Sequence, residues 1–127
     1  MQHNSQFIHL VQQAKQQIET CEIQDIKTML DQDTFDGVLI DTREDSEAAI
    51  EMLPQAMHLS KGMIECKIES LILDPSTKIY LYCGGGSRSA LAAKSLKEMG
   101  YQQAISINGG FRAWKEAGYP TVSGADK

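Results

Sequence analysis

With 127 residues, the chain is long enough for one compact domain with a hydrophobic core and too short for two ordinary domains. Apolar residues make up 42% and charged residues 23%, a globular balance that excludes disordered, fibrous and membrane-embedded chains. The formal charge of -5, from 12 Lys and Arg against 17 Asp and Glu, argues against a surface for nucleic acid or an anionic membrane, since both need clustered cations.

The amino-terminal segment predicts a helix and not a targeting signal. Residues 1–6 lack the basic start and apolar run of a secretory signal, and no apolar run reaches membrane-spanning length, so we expect a cytoplasmic protein. Residues 5–20 read as an amphipathic helix that packs on the domain. Its apolar positions recur at spacings of four, three and four: Phe7, Val11, Ala14 and Ile18.

Next along the chain, Asp25 is placed to cap a second helix that runs to Leu30, and residues 32–37 are rich in turn formers. Short runs of β-forming residues, bounded by turn or breaker residues, then predict strands. The clear runs are 38–40, 78–82 and 104–107, and weaker ones lie near Ile23 and at 57–59.

Helical patterns separate these strands. The clearest begins near Ser87 and ends at Gly100, and another runs from Phe111 to Ala117 and stops at Gly118. Strands that alternate with helices predict an α/β fold: three α/β/α layers around a central, mostly parallel sheet. Ligands bind such sheets beyond the carboxyl ends of the strands.

The three cysteines, Cys21, Cys66 and Cys83, are an odd number at wide spacings. That pattern supports neither a disulfide framework nor a zinc site with paired ligands, so we expect a free thiol, no metal and no other cofactor. We interpret Cys21 and Cys66 as structural, with a minor alternative in which Cys66 also handles sulfur.

The segment 83–89 carries the strongest chemical signal, because it joins a predicted strand directly to a helix. Gly84, Gly85 and Gly86 have no side chains and accept unusual backbone angles, so the loop can turn its N–H groups toward one point. The first turn of the helix adds unpaired N–H groups and the positive end of its dipole. An anion is the expected occupant, and a Cys83 side chain directed there is favoured as a thiolate.

A preformed thiolate needs no separate base, and none of His3, His9 and His58 belongs to a recognisable Cys/His motif. Arg88 either adds positive potential near the loop or locks the loop by bonding to carbonyls or a carboxylate. The residues alone leave both orientations open.

The spacing Cys-x4-Arg-Ser between a strand and a helix resembles the active-site loop of the rhodanese family. Residues 38–44 resemble the family's upstream strand with its Asp-x-Arg motif, and residues 108–114 resemble its last strand-to-helix junction. Residues 51–56 depart from the family's usual Gly-His-Ile-Pro-Gly-Ala, because only Pro54 and Ala56 match. Any role of the missing histidine is therefore not carried over.

The resemblance implies a five-stranded parallel sheet in the order 3-2-4-5-1 and a sulfurtransferase that carries sulfane sulfur as a persulfide on Cys83. The implied partners are a small sulfur donor such as thiosulfate and a thiol or cyanide acceptor, with a protein thiol as a further acceptor. We expect no nucleic-acid or membrane partner. The expected substrate-binding residues follow the cysteine: Gly84, Gly85, Gly86, Ser87, Arg88 and Ser89.

Two other functions remain open. A small phosphatase or arsenate reductase of the same superfamily is disfavoured because those enzymes have one more residue between cysteine and arginine. A non-catalytic docking module is disfavoured because it has no need of a thiol surrounded by backbone N–H groups.

Asp41 and Arg43 are interpreted as a structural ion pair in preference to substrate contacts.

Two further residues are assigned to the structure. Trp114 is expected in the core, and His58 is expected to be a hydrogen-bonded structural histidine. The predicted organisation is an amino-terminal helix at 1–20, a rhodanese-like domain at 21–122 and a tail at 123–127.

Overall fold

A computed structural model describes residues 5–124 of the chain. Its helices and strands are, in chain order, α1 (Ser5–Lys15), β1 (Glu19–Cys21), α2 (Ile23–Asp31), β2 (Val38–Asp41), α3 (Asp45–Ala48), β3 (Glu51–Met52), β4 (Met57–His58), α4 (Ile64–Leu71), β5 (Lys78–Tyr82), α5 (Ser87–Glu98), β6 (Gln103–Ile107), α6 (Gly110–Glu116) and β7 (Val122–Ser123). Within this range no helix is both long and apolar enough to span a bilayer.

Five strands form a parallel sheet in the spatial order β1-β6-β5-β2-β4. This order is the 3-2-4-5-1 arrangement that the resemblance implied, once β3 and β7 are set aside as a separate small sheet. Asp41 lies opposite Tyr82 in the pairing of β2 with β5, so the loops after these two strands emerge side by side. The predicted α/β class is confirmed.

Helices cover both faces of the sheet because side chains alternate along each strand. In β5, Ile79 and Leu81 join a core cluster with α4 and α5 on one face. Tyr80 and Tyr82 face the other way, into a cluster that includes Trp114 of α6 and residues of α2. The near-continuous apolar run of β5 is therefore buried from both sides, as expected of a central parallel strand.

The amino-terminal helix is shorter than predicted. α1 ends at Lys15 instead of Thr20, because Glu19–Cys21 pairs with β6 as an edge strand. The strand expected near Ile23 is this earlier segment, so the sheet begins within residues predicted to be helical. The prediction that an apolar face of this helix packs on the domain is confirmed at its centre, where Val11 and Ala14 are buried.

The second helix begins earlier than predicted. Glu22, not Asp25, is its N-cap, and Asp25 is the third helical residue, whose carboxylate accepts a 2.9 Å hydrogen bond from the Glu22 N–H. This reciprocal capping box satisfies amide groups at the start of the helix. Asp25 therefore helps to cap the start of α2, as expected, but it does so from the third helical position and not as the N-cap residue.

The predicted carboxyl-terminal tail is partly ordered. Ser123 belongs to β7, which pairs antiparallel with β3, and the Gly124 N–H donates to the Ile50 carbonyl over 3.4 Å. A segment of two residues is too short to show the alternation that predicts a strand, so neither β3 nor β7 was predicted. Residues 1–4 and 125–127, which carry the rest of the terminal predictions, lie outside the described residues.

Candidate active site

The glycine loop lies between β5 and α5, as predicted. Gly86 is the N-cap of α5 and has a φ of +105°, in the left-handed region that glycine adopts without the steric cost of a side chain. α5 then begins at Ser87 and ends before Gly100, which has a φ of +107°. The loop thus turns a buried strand directly into a helix at the carboxyl edge of the sheet.

Cys83 lies at the floor of a surface pocket beside this loop. The residue is only 1% exposed, yet it lines the pocket. The Gly86 N–H donates a 3.1 Å hydrogen bond to Cys83 Sγ, and Ser89 Oγ lies 3.5 Å from the same sulfur. In the structure the Cys83 thiol donates toward Ser89 Oγ, and both the Gly86 N–H and the Ser89 hydroxyl are able to donate to the sulfur when it is anionic.

Ser89 is connected in turn to Ser106 on the neighbouring strand β6. Their hydroxyl oxygens are 2.9 Å apart, and both side chains are fully buried. When the Ser89 hydroxyl donates toward Cys83, it can accept a hydrogen bond from the Ser106 hydroxyl. The two serines then form a chain of hydrogen bonds that points toward the sulfur. Ser89 therefore lies behind the sulfur, away from the pocket lining.

The start of α6 holds the loop from its other side. The N–H groups of Phe111 and Arg112 donate to the carbonyls of Cys83 and Gly84 at 2.8 and 2.9 Å. This approach requires Gly110, which has a φ of +54° and where an added Cβ would lie 2.3 Å from the Cys83 carbonyl oxygen. The family-like junction at residues 108–114 thus fixes the backbone of the cysteine loop.

The pocket has a volume of about 680 Å³. It is lined by Phe7, Glu47, Cys83, Gly84, Gly85, Ser87, Arg88 and Arg112. Of the predicted site residues, the structure brings five together at this surface and places the other two, Gly86 and Ser89, against the sulfur from inside.

Arg88 both lines the pocket and pairs with a carboxylate. Its Nη1 donates to Glu47 Oε1 over 3.0 Å. Partial burial is the largest single effect and opposes the charged form of each group, but the hydrogen bond and the nearby charges together outweigh it, so the pKa of Arg88 is raised and the pKa of Glu47 is lowered. Of the two orientations considered for Arg88, the carboxylate-paired one is observed.

Asp41 and Arg43 form a buried ion pair, as predicted. Arg43 donates to both carboxylate oxygens of Asp41, with the Nη2 to Oδ2 distance at 2.9 Å, and its guanidinium lies 3.9 Å from the centre of the Phe111 ring. The Tyr82 hydroxyl also donates to Asp41 over 2.7 Å. Burial, followed by the charge of Asp41, raises the pKa of Tyr82 well above its ordinary value. This network joins β2, β5 and α6 beneath the site.

The residues assigned to structure have different surroundings. Trp114 is fully buried, and its indole N–H donates to the Pro120 carbonyl over 2.8 Å. His58 Nε2 lies 2.8 Å from the Arg43 carbonyl oxygen, so it is hydrogen-bonded as expected. Cys66, by contrast, is exposed on α4, does not line the pocket and is not a core residue.

Sequence reasoning missed the roles of Phe7, Glu47, Ser106 and Arg112. Arg112 could have been found, because β6 neighbours β5 and the carboxyl ends of adjacent parallel strands share one edge of the sheet. Phe7 gave no such signal, since its contact with the site depends on how α1 docks. Ser106 alternates with apolar residues in its strand, a pattern that does not reveal its partner.

Comparison with known proteins agrees with this arrangement. The family model of the rhodanese-like domain matches residues 22–117. A sulfurtransferase of Allochromatium vinosum is 33% identical over 91 residues, which cover 72% of this chain and 83% of that protein. The solved structure of the polysulfide-sulfur transferase homodimer of Wolinella succinogenes is 29% identical, with a TM-score of 0.76, and the match covers 93% of this chain and 88% of that one.

A second solved structure, of a Rhodopseudomonas palustris protein of unknown function described as a possible tyrosine phosphatase, is also similar. It is 30% identical, with a TM-score of 0.84, and the match covers 96% of this chain and 98% of that one. The family model, which spans most of the chain, covers four of the five strands of the parallel sheet and the cysteine loop between β5 and α5. The chain belongs to the rhodanese-like domain family of sulfurtransferase-type proteins.

Proposed function

We propose that the protein is a sulfurtransferase that carries sulfane sulfur as a persulfide on Cys83. The Cys83 thiolate attacks the outer sulfur of a donor such as thiosulfate. A new sulfur–sulfur bond forms, the donor's own sulfur–sulfur bond breaks, and sulfite leaves with the bonding electron pair. The two negative charges of thiosulfate and the one of the thiolate are then found on sulfite and on the persulfide.

In the second step an acceptor thiolate or cyanide attacks the outer sulfur of the persulfide. The bond to Cys83 breaks, and the thiolate is restored with its electron pair. The charge stays near the loop through both steps, so fixed hydrogen-bond donors stabilise each anionic state without reorganising. A small thiol or a protein cysteine is the proposed cellular acceptor, and cyanide serves as the assay acceptor.

One observation carries this proposal: Cys83 Sγ accepts the Gly86 N–H at the floor of an open pocket, with the Ser89 hydroxyl beside it. A cysteine that served only the core would need neither donors nor access. The two named sulfur-transferring relatives support the same reaction class.

Intact mass spectrometry tests the first step. After incubation with thiosulfate and removal of excess reagent, the wild-type chain should gain one sulfur atom, and subsequent cyanide should remove it as thiocyanate. Cys83→Ser should gain none, whereas Cys66→Ser, which removes the exposed thiol of α4, should behave as wild type. Equal sulfur uptake by Cys83→Ser would reject the assignment of the site.

Phosphate-ester hydrolysis is a second candidate, because a similar structure is described as a possible tyrosine phosphatase. The short loop disfavours it: four residues separate Cys83 from Arg88, which leaves a narrower cradle than the superfamily's phosphatases have. Turnover of para-nitrophenyl phosphate, compared with thiocyanate formation on the same preparation, separates the two. Phosphatase turnover that exceeds thiocyanate formation would reverse the order of the candidates.

A further inference from the structure

Two arginines of the pocket lining, Arg88 and Arg112, lie close to the glycine loop. A Cβ added at Gly84 would lie 3.1 Å from Arg88 Nη2, and one added at Gly85 would lie 3.3 Å from Arg112 Nη1. The guanidinium groups therefore lie against the two glycines that follow Cys83.

The two cations differ in how far a carboxylate offsets their charge. Arg88 is paired with Glu47, the acidic residue of the pocket lining. Arg112 is exposed, and within residues 5–124 its guanidinium has neither an ion pair nor a hydrogen bond. The positive charge that the pocket offers to an incoming anion is thus mainly that of Arg112.

The backbone of Arg112 is held even though its side chain is free. Its N–H donates to the Gly84 carbonyl over 2.9 Å, which ties the start of α6 to the cysteine loop. A guanidinium that lines the same pocket as Cys83, on a backbone fixed to the cysteine loop, and whose donors are unused, can bind a carboxylate or sulfonate through two parallel hydrogen bonds.

We propose that Arg112 binds the anionic group of the sulfur donor and so selects donors that carry a sulfonate or carboxylate next to the transferable sulfur. This inference rests on the proposed function and names its substrate class. Arg88 holds the loop through Glu47, and Arg112 supplies the charge that positions the donor. The sulfite that leaves thiosulfate would depart from the same guanidinium.

Alkylation of Cys83 tests the anion site without sulfur transfer. Iodoacetate and iodoacetamide react by the same displacement, in which the sulfur–carbon bond forms and iodide leaves, but only iodoacetate carries a negative charge. In Arg112→Gln the iodoacetate rate at Cys83, followed by peptide mass mapping, should fall about tenfold, the ratio that corresponds to about 1.4 kcal/mol. The iodoacetamide rate should change less than about twofold, and Arg112→Lys should restore most of the iodoacetate rate.

Two controls separate local binding from general charge and from misfolding. Lys115→Gln removes one positive charge from the same helix, at an exposed residue that pairs with Glu51 outside the pocket, and should leave the ratio of the two rates unchanged. Exposed Cys66 is an internal reference in each sample, because the ratio of its iodoacetate and iodoacetamide rates should not change in Arg112→Gln. A thermal unfolding curve of each variant verifies the fold.

Thiosulfate kinetics complete the experiment. Arg112→Gln should raise the KM for thiosulfate about tenfold with a smaller change in kcat, because the guanidinium binds the donor and does not take part in bond breaking. Two results would overturn the role of Arg112, even when the wild-type chain transfers sulfur. In the first, Arg112→Gln leaves the ratio of the iodoacetate rate to the iodoacetamide rate at Cys83 unchanged. In the second, Arg112→Gln lowers both rates equally. A wild-type chain that takes up no sulfur, with the ratio still dependent on Arg112, overturns the proposed function and retains the anion site.

Discussion

The hydroxyl oxygens of Ser89 and Ser106 lie 2.9 Å apart, in a fully buried position next to the sulfur of Cys83. Ser106 can orient Ser89 so that the latter donates toward an anionic sulfur. We therefore expect Ser106→Ala to lower the iodoacetamide alkylation rate of Cys83 about fivefold at neutral pH, the equivalent of one hydrogen bond of about 1 kcal/mol.

Ser70→Ala is the matched control for this substitution, because it removes an exposed hydroxyl that bonds within its own helix. Its Cys83 alkylation rate should equal that of the wild-type chain. A Ser106→Ala rate that matches the control would show that Ser89 needs no partner.

Gly110→Ala should distort the cysteine loop. The added Cβ would lie 2.3 Å from the Cys83 carbonyl oxygen, in a residue that already has a φ of +54°. Because backbone atoms cannot yield as a flexible side chain does, we expect lower thermal stability and loss of sulfur uptake from thiosulfate. Intact mass spectrometry and thermal unfolding measure the two effects.

The comparison for that variant is Gly118→Ala, at the end of α6. Gly118 also has a positive φ, +76°, but apart from its neighbours in the chain no atom of the described residues lies within 4 Å of an added Cβ. Gly118→Ala should lower the free energy of unfolding by only about 1 kcal/mol, the cost of a positive φ in a residue with a Cβ, and should keep its sulfur uptake. Equal sulfur uptake by the two variants would contradict the close fit at Gly110.

Breaking the buried ion pair should cost far more stability than breaking an exposed one. Arg43→Ala leaves the fully buried Asp41 carboxylate without its guanidinium, and we expect a loss of about 3–5 kcal/mol in the free energy of unfolding by urea. Lys78→Ala removes the more exposed pair with Asp36, where solvent screens the attraction, and should lower the free energy of unfolding far less. Similar losses for both variants would show that the Asp41–Arg43 network is not a structural support.

Cys21 should resist alkylation at pH 8. Burial, with added repulsion from Asp25 and Glu22, raises the pKa of its thiol to about 12, so the thiol stays protonated until the solution is strongly alkaline. Peptide mapping after brief iodoacetamide treatment should find Cys66 and Cys83 modified and Cys21 intact, with labelling of Cys21 increasing as the pH approaches 12. Rapid labelling of Cys21 at pH 8 would contradict this order.

The sequence predicted those parts of the fold and site that depend on neighbours along the chain. The β5 strand, the glycine loop and the start of α5 are consecutive, so their local pattern placed Cys83 and Arg88 at a strand-to-helix junction. Alternation of buried strands with helices was enough to predict the parallel sheet. The Asp41–Arg43 ion pair could also be predicted, because its two residues are only two positions apart in the sequence.

The parts that were missed depend on contacts distant in sequence. Glu47 meets Arg88 across 41 positions, and Ser106 meets Ser89 across 17, so neither pairing is visible in a local pattern. The end of α1 at Lys15 has the same cause, because β1 is formed by pairing with β6 near the other end of the chain. Tertiary pairing there overrides the helical periodicity.

The family match begins at residue 22, yet Phe7 of α1 forms part of the pocket wall. The cysteine loop and one wall of the pocket beside it thus come from separate portions of the polypeptide. Exchange of the leading helix would reshape the approach to the sulfur while every atom of the loop stayed in place. Proteins that share the same cysteine loop can differ in the molecules that reach it when only the residues before their common domain change.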